Sequence, residues 1–151
     1  MTPPNTTTVP ALLYGQPIPP AVWEAIRAEF GLPSDTQVRT RLEQLKPDPE
    51  RVMRKIVRVF IGAETLCPGY QFTDSLEVQP AVQILFARAM ELKIAHNYFS
   101  AWMVAPSPDL EGRRPIDLIH NPAPPLLRAL ASFRSSQTVT GPVRARLNGW
   151  N

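Results

Sequence analysis

Proline is the residue type that most limits what this chain can fold into, because it limits the length of its helices. The 151 residues include 18 prolines, about twice the usual share. A proline lacks the backbone N–H and clashes with the preceding turn, so it interrupts a helix from within but suits the first helical position. Several prolines here precede apolar residues at helical spacing. The pattern predicts a mainly α fold, a bundle of short helices.

The spacing of apolar residues places these helices along the chain. The first is predicted from Pro20 to Phe30, and the second begins after Ser34 or Asp35 and turns Val38, Leu42 and Leu45 inward. The third begins at Asp48, with Asp48 as its cap and Pro49 at the first helical position, and it turns Val52, Ile56 and Val59 inward. Further helical segments are predicted at Pro80 to Leu92 or Lys93, Asn97 to Val104, a turn from Pro115, and Pro124 to Phe133.

Three regions do not follow a helical pattern. Residues 61–78 are interrupted by glycine and proline and favour extended structure, which predicts a short β-hairpin or an irregular connection. Residues 1–19 are rich in proline and threonine, a composition that predicts a flexible leader. Within it, we expect Leu12, Leu13 and Tyr14 to dock as an extended segment. We expect residues 135–151 to form a flexible C-terminal tail. We therefore divide the chain into residues 1–19, an N-terminal helical region at 20–60, a second domain at 61–134, and residues 135–151.

Composition narrows the setting in which the protein works. Cys67 is the only cysteine, so no intramolecular disulfide can form. No stretch approaches 18 apolar residues, and the start of the chain has no signal-peptide pattern; we expect a cytoplasmic protein with no membrane partner. The net charge is +3, and the arginines are spread along the chain, so charge alone does not indicate nucleic acid. An acidic protein partner would suit this surface equally well.

The residues available for catalysis are few. His96 and His120 are the only histidines, and no cysteine–histidine pair has metal-ligand spacing. Cys67 would be a nucleophile only if a histidine reached it in space, and a buried thiol is the more common role. The chain also lacks a glycine-rich phosphate loop. We expect a protein that is not an enzyme and has no cofactor or metal.

One segment carries a longer pattern, Trp102-x-x-x-Pro106-x-Pro108-x-Leu110-x-Gly112-Arg113-x-Pro115-x-Asp117-Leu118. It resembles the toxin-binding domain of the MbcA/ParS/Xre-type antitoxin family. The resemblance covers about residues 80–134 and extends back to Tyr70-Gln71-Phe72. Two positions depart from the family: Ser107 stands where asparagine is usual, and Glu111 where the first glycine is usual. From Glu111 we expect that no positive φ is required at that position.

The resemblance implies that residues 61–134 form an antitoxin-like toxin-binding domain. Its partner-binding residues would include Trp102, Leu110, Arg113, Arg114 and Asp117. The structural alternative makes Trp102 and Leu110 the apolar plug of the loop, and lets Arg113 bind loop carbonyls or pair with Asp117. Arg114 is less constrained by the motif, so we expect it to contact the partner, and Arg114→Glu to weaken binding with the fold intact; an exposed, solvated arginine is the alternative. The tail, with Arg144, Arg146 and Trp150, would insert into the toxin, or it is an ordinary terminus whose removal leaves stability nearly unchanged.

The function implied is therefore that of an antitoxin, which binds and neutralises a cognate protein toxin such as a RES-type, NAD-consuming enzyme. The alternatives are a DNA-binding regulator of its own promoter, or an adaptor that uses the same domain on another protein partner or as a homo-oligomer. For DNA binding, residues 20–60 would form a degenerate helix-turn-helix. Its phosphate contacts would come from Arg51, Arg54, Lys55 and Arg58, which otherwise form a solvated basic face.

Overall fold

The computed structural model describes residues 9–140, with side chains described for residues 9–136. This part of the chain is mainly helical with one small antiparallel hairpin, which confirms the predicted fold class. None of its helices is both long and apolar enough to cross a bilayer. In chain order the elements are α1 Pro20–Glu29, α2 Asp35–Leu45, α3 Pro49–Met53, β1 Val59–Ile61, β2 Glu64–Leu66, α4 Pro80–Glu91, α5 His96–Val104 and α6 Ala123–Thr140, with 3-10 turns at Gly69–Gln71, Pro108–Leu110 and Pro115–Leu118.

The helix starts follow the local chemistry of the sequence. Proline occupies the first turn of α1, α3 and α4, where its missing N–H would have had no helical partner. At the start of α2, the Ser34 hydroxyl accepts a hydrogen bond from the Gln37 amide at 3.1 Å. The Gln37 side chain accepts one from the Ser34 amide at 2.8 Å, which completes a capping box. Asp48 does precede α3, but its side chain makes no capping hydrogen bond.

The third helix is shorter than predicted, and the hairpin begins earlier. Helix α3 ends at Met53, so Ile56 lies in a connection and Val59 lies in β1, although both side chains are buried as expected. The β-branched residues of this segment favour extended structure over helix. Val59 pairs with Leu66 and Ile61 with Glu64, so the hairpin occupies only the first part of the region expected to be non-helical.

Leu45 is not on the inner face of α2, and that prediction is wrong. Its side chain is 54% exposed, whereas Val38 and Leu42 are buried. Leu45 is the last residue of α2, and the backbone becomes extended at Lys46. The chain therefore leaves the helix before anything packs over this position.

The buried side chains form two clusters. The larger cluster joins α1, the hairpin, α4, α5 and α6. The smaller cluster lies beneath α2 and α3 and includes Leu42, Met53 and Cys67. Val22 and Ile26, from the first predicted domain, belong to the same cluster as residues 80–133. The boundary expected at residues 60 and 61 falls inside β1, so the regions on its two sides share one core.

The described parts of the two predicted flexible ends pack against the core. Tyr14 contacts the rings of Tyr98 and Phe133, with ring centroids 4.5 and 5.5 Å away. Its amide donates a hydrogen bond to the Ser136 hydroxyl at 3.0 Å. Leu12 also packs against the large cluster, whereas Leu13 is 42% exposed. Helix α6 continues past Phe133 to Thr140, because no glycine or proline interrupts the chain before Gly141 and Pro142.

Candidate functional site

The segment that carries the family resemblance leaves α5 and folds into a loop closed by its own backbone. We call residues 105–118 the motif loop. The Ser107 amide donates a hydrogen bond to the Arg113 carbonyl at 3.0 Å, and the Ser107 carbonyl accepts bonds from the amides of Leu110 at 3.0 Å and Gly112 at 2.8 Å. Ser107 is itself only 4% exposed. These bonds fix the shape of the loop around a buried residue.

Glu111 has a left-handed backbone conformation, so the expectation that this position needs no positive φ is wrong. Its φ is 59° and its ψ is 37°, and Gly112 follows with a φ of 82°. A left-handed residue is a common way to end a helical turn, and here it ends the 3-10 turn Pro108–Leu110. For a residue with a Cβ this conformation costs roughly 1–2 kcal/mol, which the closed backbone of the loop must offset.

Trp102 and Leu110 lie beneath the loop and not on its surface. Their exposed fractions are 3% and 4%. The Trp102 ring stacks on Phe133 of α6, with centroids 6.5 Å apart, and it also contacts Phe99. Both side chains therefore support the loop from within, and the partner-binding role expected of them stays a prediction.

Arg114 is held on two sides by carboxylates, although the motif itself constrains it less than Arg113. Its guanidinium donates to both carboxylate oxygens of Glu29, at 2.7 and 3.0 Å, and to both of Asp117, at 2.8 Å each. It also lies over the Phe30 ring, 5.9 Å from the centroid. These hydrogen bonds raise the pKa of Arg114 above its usual range. Arg114 joins the motif loop to α1, and its contact with a partner stays a prediction.

Arg113 is the exposed arginine of the motif. Its Nε donates a hydrogen bond to the Leu110 carbonyl at 3.1 Å, which is the loop contact expected of it. Its guanidinium is 3.6 Å from the Glu111 carboxylate, and 57% of the side chain is exposed. The alternative pairing with Asp117 is taken by Arg114. Arg113, Glu111 and the exposed Asp109 form the outer edge of the loop, which we call the rim.

The four basic residues proposed for DNA do not form one face of a helix. Arg51 pairs with Glu77, and Arg58 pairs with Asp35 and donates to the carbonyls of Met53 and Ile56. Arg54 and Lys55 are exposed and follow the end of α3. Half of the set is therefore neutralised within the protein. Arg144, Arg146 and Trp150 lie outside the described residues.

The structure gives Cys67 no features of a nucleophile. The thiol is fully buried, and burial raises its pKa to about 11, with a further contribution from Asp35. A thiolate, and not a thiol, is the reactive form. Within residues 9–136, no group of three or more His, Cys, Asp or Glu side chains is placed to hold a metal ion.

Sequence reasoning missed two carboxylates of this site. Glu29 lies 85 residues before Arg114, at the end of α1, and no local pattern connects the two positions. Asp109 occupies a position that the motif leaves variable, so the motif did not predict it as a site residue. Glu29 belongs to the site only because the end of α1 lies against the motif loop, whereas Asp109 is part of the loop itself.

Comparison with protein-family models, with curated proteins and with solved structures gave no match.

Proposed function

We propose that the protein is antitoxin-like and uses the motif loop to bind and neutralise a protein toxin. The observation that supports this most directly is the contrast between the two sides of the loop. Its inner side is anchored by buried Trp102, Ser107 and Leu110, whereas its rim is exposed. The segment that resembles the antitoxin family is thus a braced surface loop.

A braced loop favours binding because little conformational entropy is lost when a partner docks. Ordering a mobile loop or side chain at an interface costs about 0.5–1.5 kcal/mol per side chain. The backbone hydrogen bonds around Ser107 and the ion pairs of Arg114 with Glu29 and Asp117 fix the motif loop before the partner docks. The rim then offers two carboxylates and one guanidinium, a mixed pattern that gives specificity more than affinity.

The partner class follows from the resemblance and is part of the proposal. Antitoxins of this family neutralise toxins such as RES-type enzymes that consume NAD, by covering or plugging the active site. In this chain the motif loop would lie against the toxin, and the chain itself would contribute no chemical step.

Promoter binding has less support as the main function. Sequence-independent affinity for DNA comes from Lys and Arg side chains that neutralise phosphates. Arg51 and Arg58 already pair with carboxylates, so of the four proposed phosphate contacts only Arg54 and Lys55 are both exposed and outside the ion pairs described for residues 9–136. A regulator or an adaptor remains an outcome of the test below.

The test is co-expression with the product of the adjacent open reading frame. We expect that product to slow growth, the protein to restore growth, and the two to co-purify through gel filtration at moderate salt. Arg113→Glu reverses a rim charge and should lower recovery of the complex at least tenfold. Arg41→Glu is the matched control, because Arg41 is an exposed arginine of α2 that is outside the described ion pairs, and it should leave recovery unchanged.

The opposite results are equally informative. If the neighbouring product is harmless and no complex forms, the antitoxin proposal is wrong. A steeply salt-dependent shift of the promoter fragment would then indicate the regulator. If Arg113→Glu and Arg41→Glu bind equally well, the motif loop is not the binding surface. Thermal unfolding of both variants shows whether either substitution disturbs the fold.

A further inference from the structure

A narrow cavity lies beside the motif loop, at a place that the family pattern does not single out. We call it the slot. Its volume is about 200 Å³, and its lining includes Leu13, Trp102, Pro108, Asp109, Ser132 and Phe133. Four parts of the chain meet there: the leader, α5, the motif loop and α6. The slot is therefore continuous with the rim through Asp109.

The size of the slot favours a single side chain as its occupant. Sites for small molecules and cofactors usually measure about 300–1,000 Å³, which is larger than this cavity. At interfaces, much of the binding energy comes from a few anchor side chains that fill pockets, and arginine is prominent among them.

The chemistry of the lining selects the kind of side chain. Leucine, proline and aromatic groups form most of the walls, and Asp109 is the one ionisable residue of the lining. Asp109 is exposed, and within residues 9–136 no ion pair includes it. The hydroxyl of Ser136, which also lines the slot, already accepts from the Tyr14 amide and donates to the Phe133 carbonyl. The one charged group of the lining is thus a carboxylate that takes part in no described ion pair, beside mostly apolar walls.

We propose that the slot receives an arginine side chain of the partner protein. The methylene stem packs along Leu13 and Phe133, and the guanidinium binds the Asp109 carboxylate at the edge. A long cationic side chain buries its stem against apolar surface while its head stays in a polar setting. Arginine suits this better than lysine, because its planar group binds a carboxylate through two hydrogen bonds and stacks on aromatic rings. The inference rests on the proposed function for the identity of the partner, but the slot chemistry can be tested without that partner.

The first test uses two capped tripeptides as probes, Gly-Arg-Gly and Gly-citrulline-Gly, which differ in charge but hardly in shape. In NMR titrations we expect the arginine peptide to give saturable shifts at the Asp109 and Ser132 amides and the Trp102 indole. The citrulline peptide should bind at least fivefold more weakly. Asp109→Asn should remove this discrimination, whereas the control Asp74→Asn, at an exposed acid far along the chain from the loop, should keep it. Equal binding of the two peptides, or no saturable shift at the slot, would overturn the proposal.

The second test fills the slot in the complex. Ser132 is an exposed residue of α6 that lines the slot, so Ser132→Trp should block it without burying new groups. We expect at least a tenfold loss of complex recovery with the adjacent product. Ala87→Trp, at an exposed position of α4, is the matched control and should bind normally.

The two proposals can fail separately. If the arginine peptide occupies the slot and no complex forms with the adjacent product, the antitoxin function is wrong and the slot assignment holds. If the complex forms and Ser132→Trp leaves it intact, the slot assignment is wrong and the antitoxin function holds.

Discussion

A single buried amide side chain connects the segments on either side of the hairpin. Gln71 has no exposed surface. Its Nε2 donates to the carbonyls of Val57 at 2.8 Å and Pro68 at 3.0 Å, and its Oε1 accepts from the Val57 amide at 2.7 Å. Gln71 thus satisfies both backbone groups of Val57 in the buried interior, where an unpaired polar group is costly.

We expect Gln71→Met to lower the free energy of unfolding by about 2–4 kcal/mol. The substitution keeps the side-chain volume but leaves the Val57 N–H and carbonyl buried without a partner, at about 1–3 kcal/mol for each such group. Gln44→Met, at an exposed position of α2, should change stability by less than about 0.5 kcal/mol. Urea denaturation of both variants measures the difference. Equal midpoints would show that the Gln71 bonds do not stabilise the fold.

Arg114 acts through the geometry of its planar group. Arg114→Lys keeps the charge but cannot make paired hydrogen bonds to both Glu29 and Asp117. We expect it to lower stability by about 1 kcal/mol, with a smaller difference in 1 M salt than in 0.1 M. Arg114→Glu places a third carboxylate beside the other two, so we expect it to disturb the fold, contrary to the expectation from sequence.

Arg128→Lys is the control for the Arg114 prediction, because Arg128 is exposed on α6. Thermal unfolding at the two salt concentrations makes the comparison. If Arg114→Glu unfolds at the same temperature as the unaltered protein, the ion pairs of Arg114 with Glu29 and Asp117 do not stabilise the fold.

At the scale of elements, the Glu77 carboxylate links the end of α2 and helix α3 to the segment after the hairpin through ion pairs. Glu77 accepts hydrogen bonds from Lys46 at 2.8 Å and from Arg51 at 2.9 and 3.3 Å. The Arg51 bond and then the Lys46 bond lower the pKa of Glu77 from 4.5 to about 2. Because the folded-state pKa is depressed, this contribution to stability is complete above the unfolded pKa and is lost as the pH falls towards 2.

The pH dependence of Glu77→Gln tests this attachment. We expect the variant to melt at a lower temperature than the unaltered protein at pH 6, and the gap to close as the pH falls from about 5 to 2. Glu43→Gln, at an exposed acid of α2 outside the described ion pairs, is the control and should give only a small gap at pH 6. A gap for Glu77→Gln that is constant from pH 6 to pH 2 would contradict the depressed pKa.

Because α6 extends to Thr140, we expect truncation within residues 135–140 to lower the stability of the fold. A chain ending at residue 134 loses part of the described helix and the Ser136 hydroxyl that accepts from the Tyr14 amide. We expect it to be about 1–2 kcal/mol less stable than a chain ending at residue 140. This replaces the expectation that removing residues 135–151 leaves stability nearly unchanged. Equal melting temperatures of the two truncated chains would restore that earlier view.

Elements were predictable from sequence where the signal is local. Proline at helix starts and the spacing of apolar residues placed α1, α2, α4 and α5 to within a few residues. The end of α3 was missed because Ile56 and Val59 satisfy both a helical and an extended pattern of burial. Only the part of the site that is contiguous in sequence was predictable, because the motif located the loop. Glu29 and Leu13 reach the loop through packing between segments that are distant in sequence. The left-handed Glu111 was missed because closure of the loop overrides the residue's own preference.

At the scale of the whole molecule, Cys67 reports on the opening of the smaller cluster. The thiol is fully buried, and burial raises its pKa to about 11. We expect it to react with a thiol reagent only when the surrounding structure opens, at least a hundredfold more slowly than an exposed thiol. The control is a Cys67→Ser, Leu45→Cys double variant, which carries its thiol at an exposed position. Similar rates for the two proteins would mean that the smaller cluster opens freely.

The Tyr14–Ser136 contact joins residues 122 positions apart, and the same two parts of the chain line the slot together with α5 and the motif loop. This has a consequence for synthesis on the ribosome. The leader is made early, but α6, which supplies the opposite wall, is made late, at about 5–20 residues per second. A nascent chain therefore carries the leader without its slot for several seconds. Only a polypeptide synthesised through α6 can present the surface to which we assign partner binding, so this surface is completed when α6 is added and not gradually as the earlier helices are made.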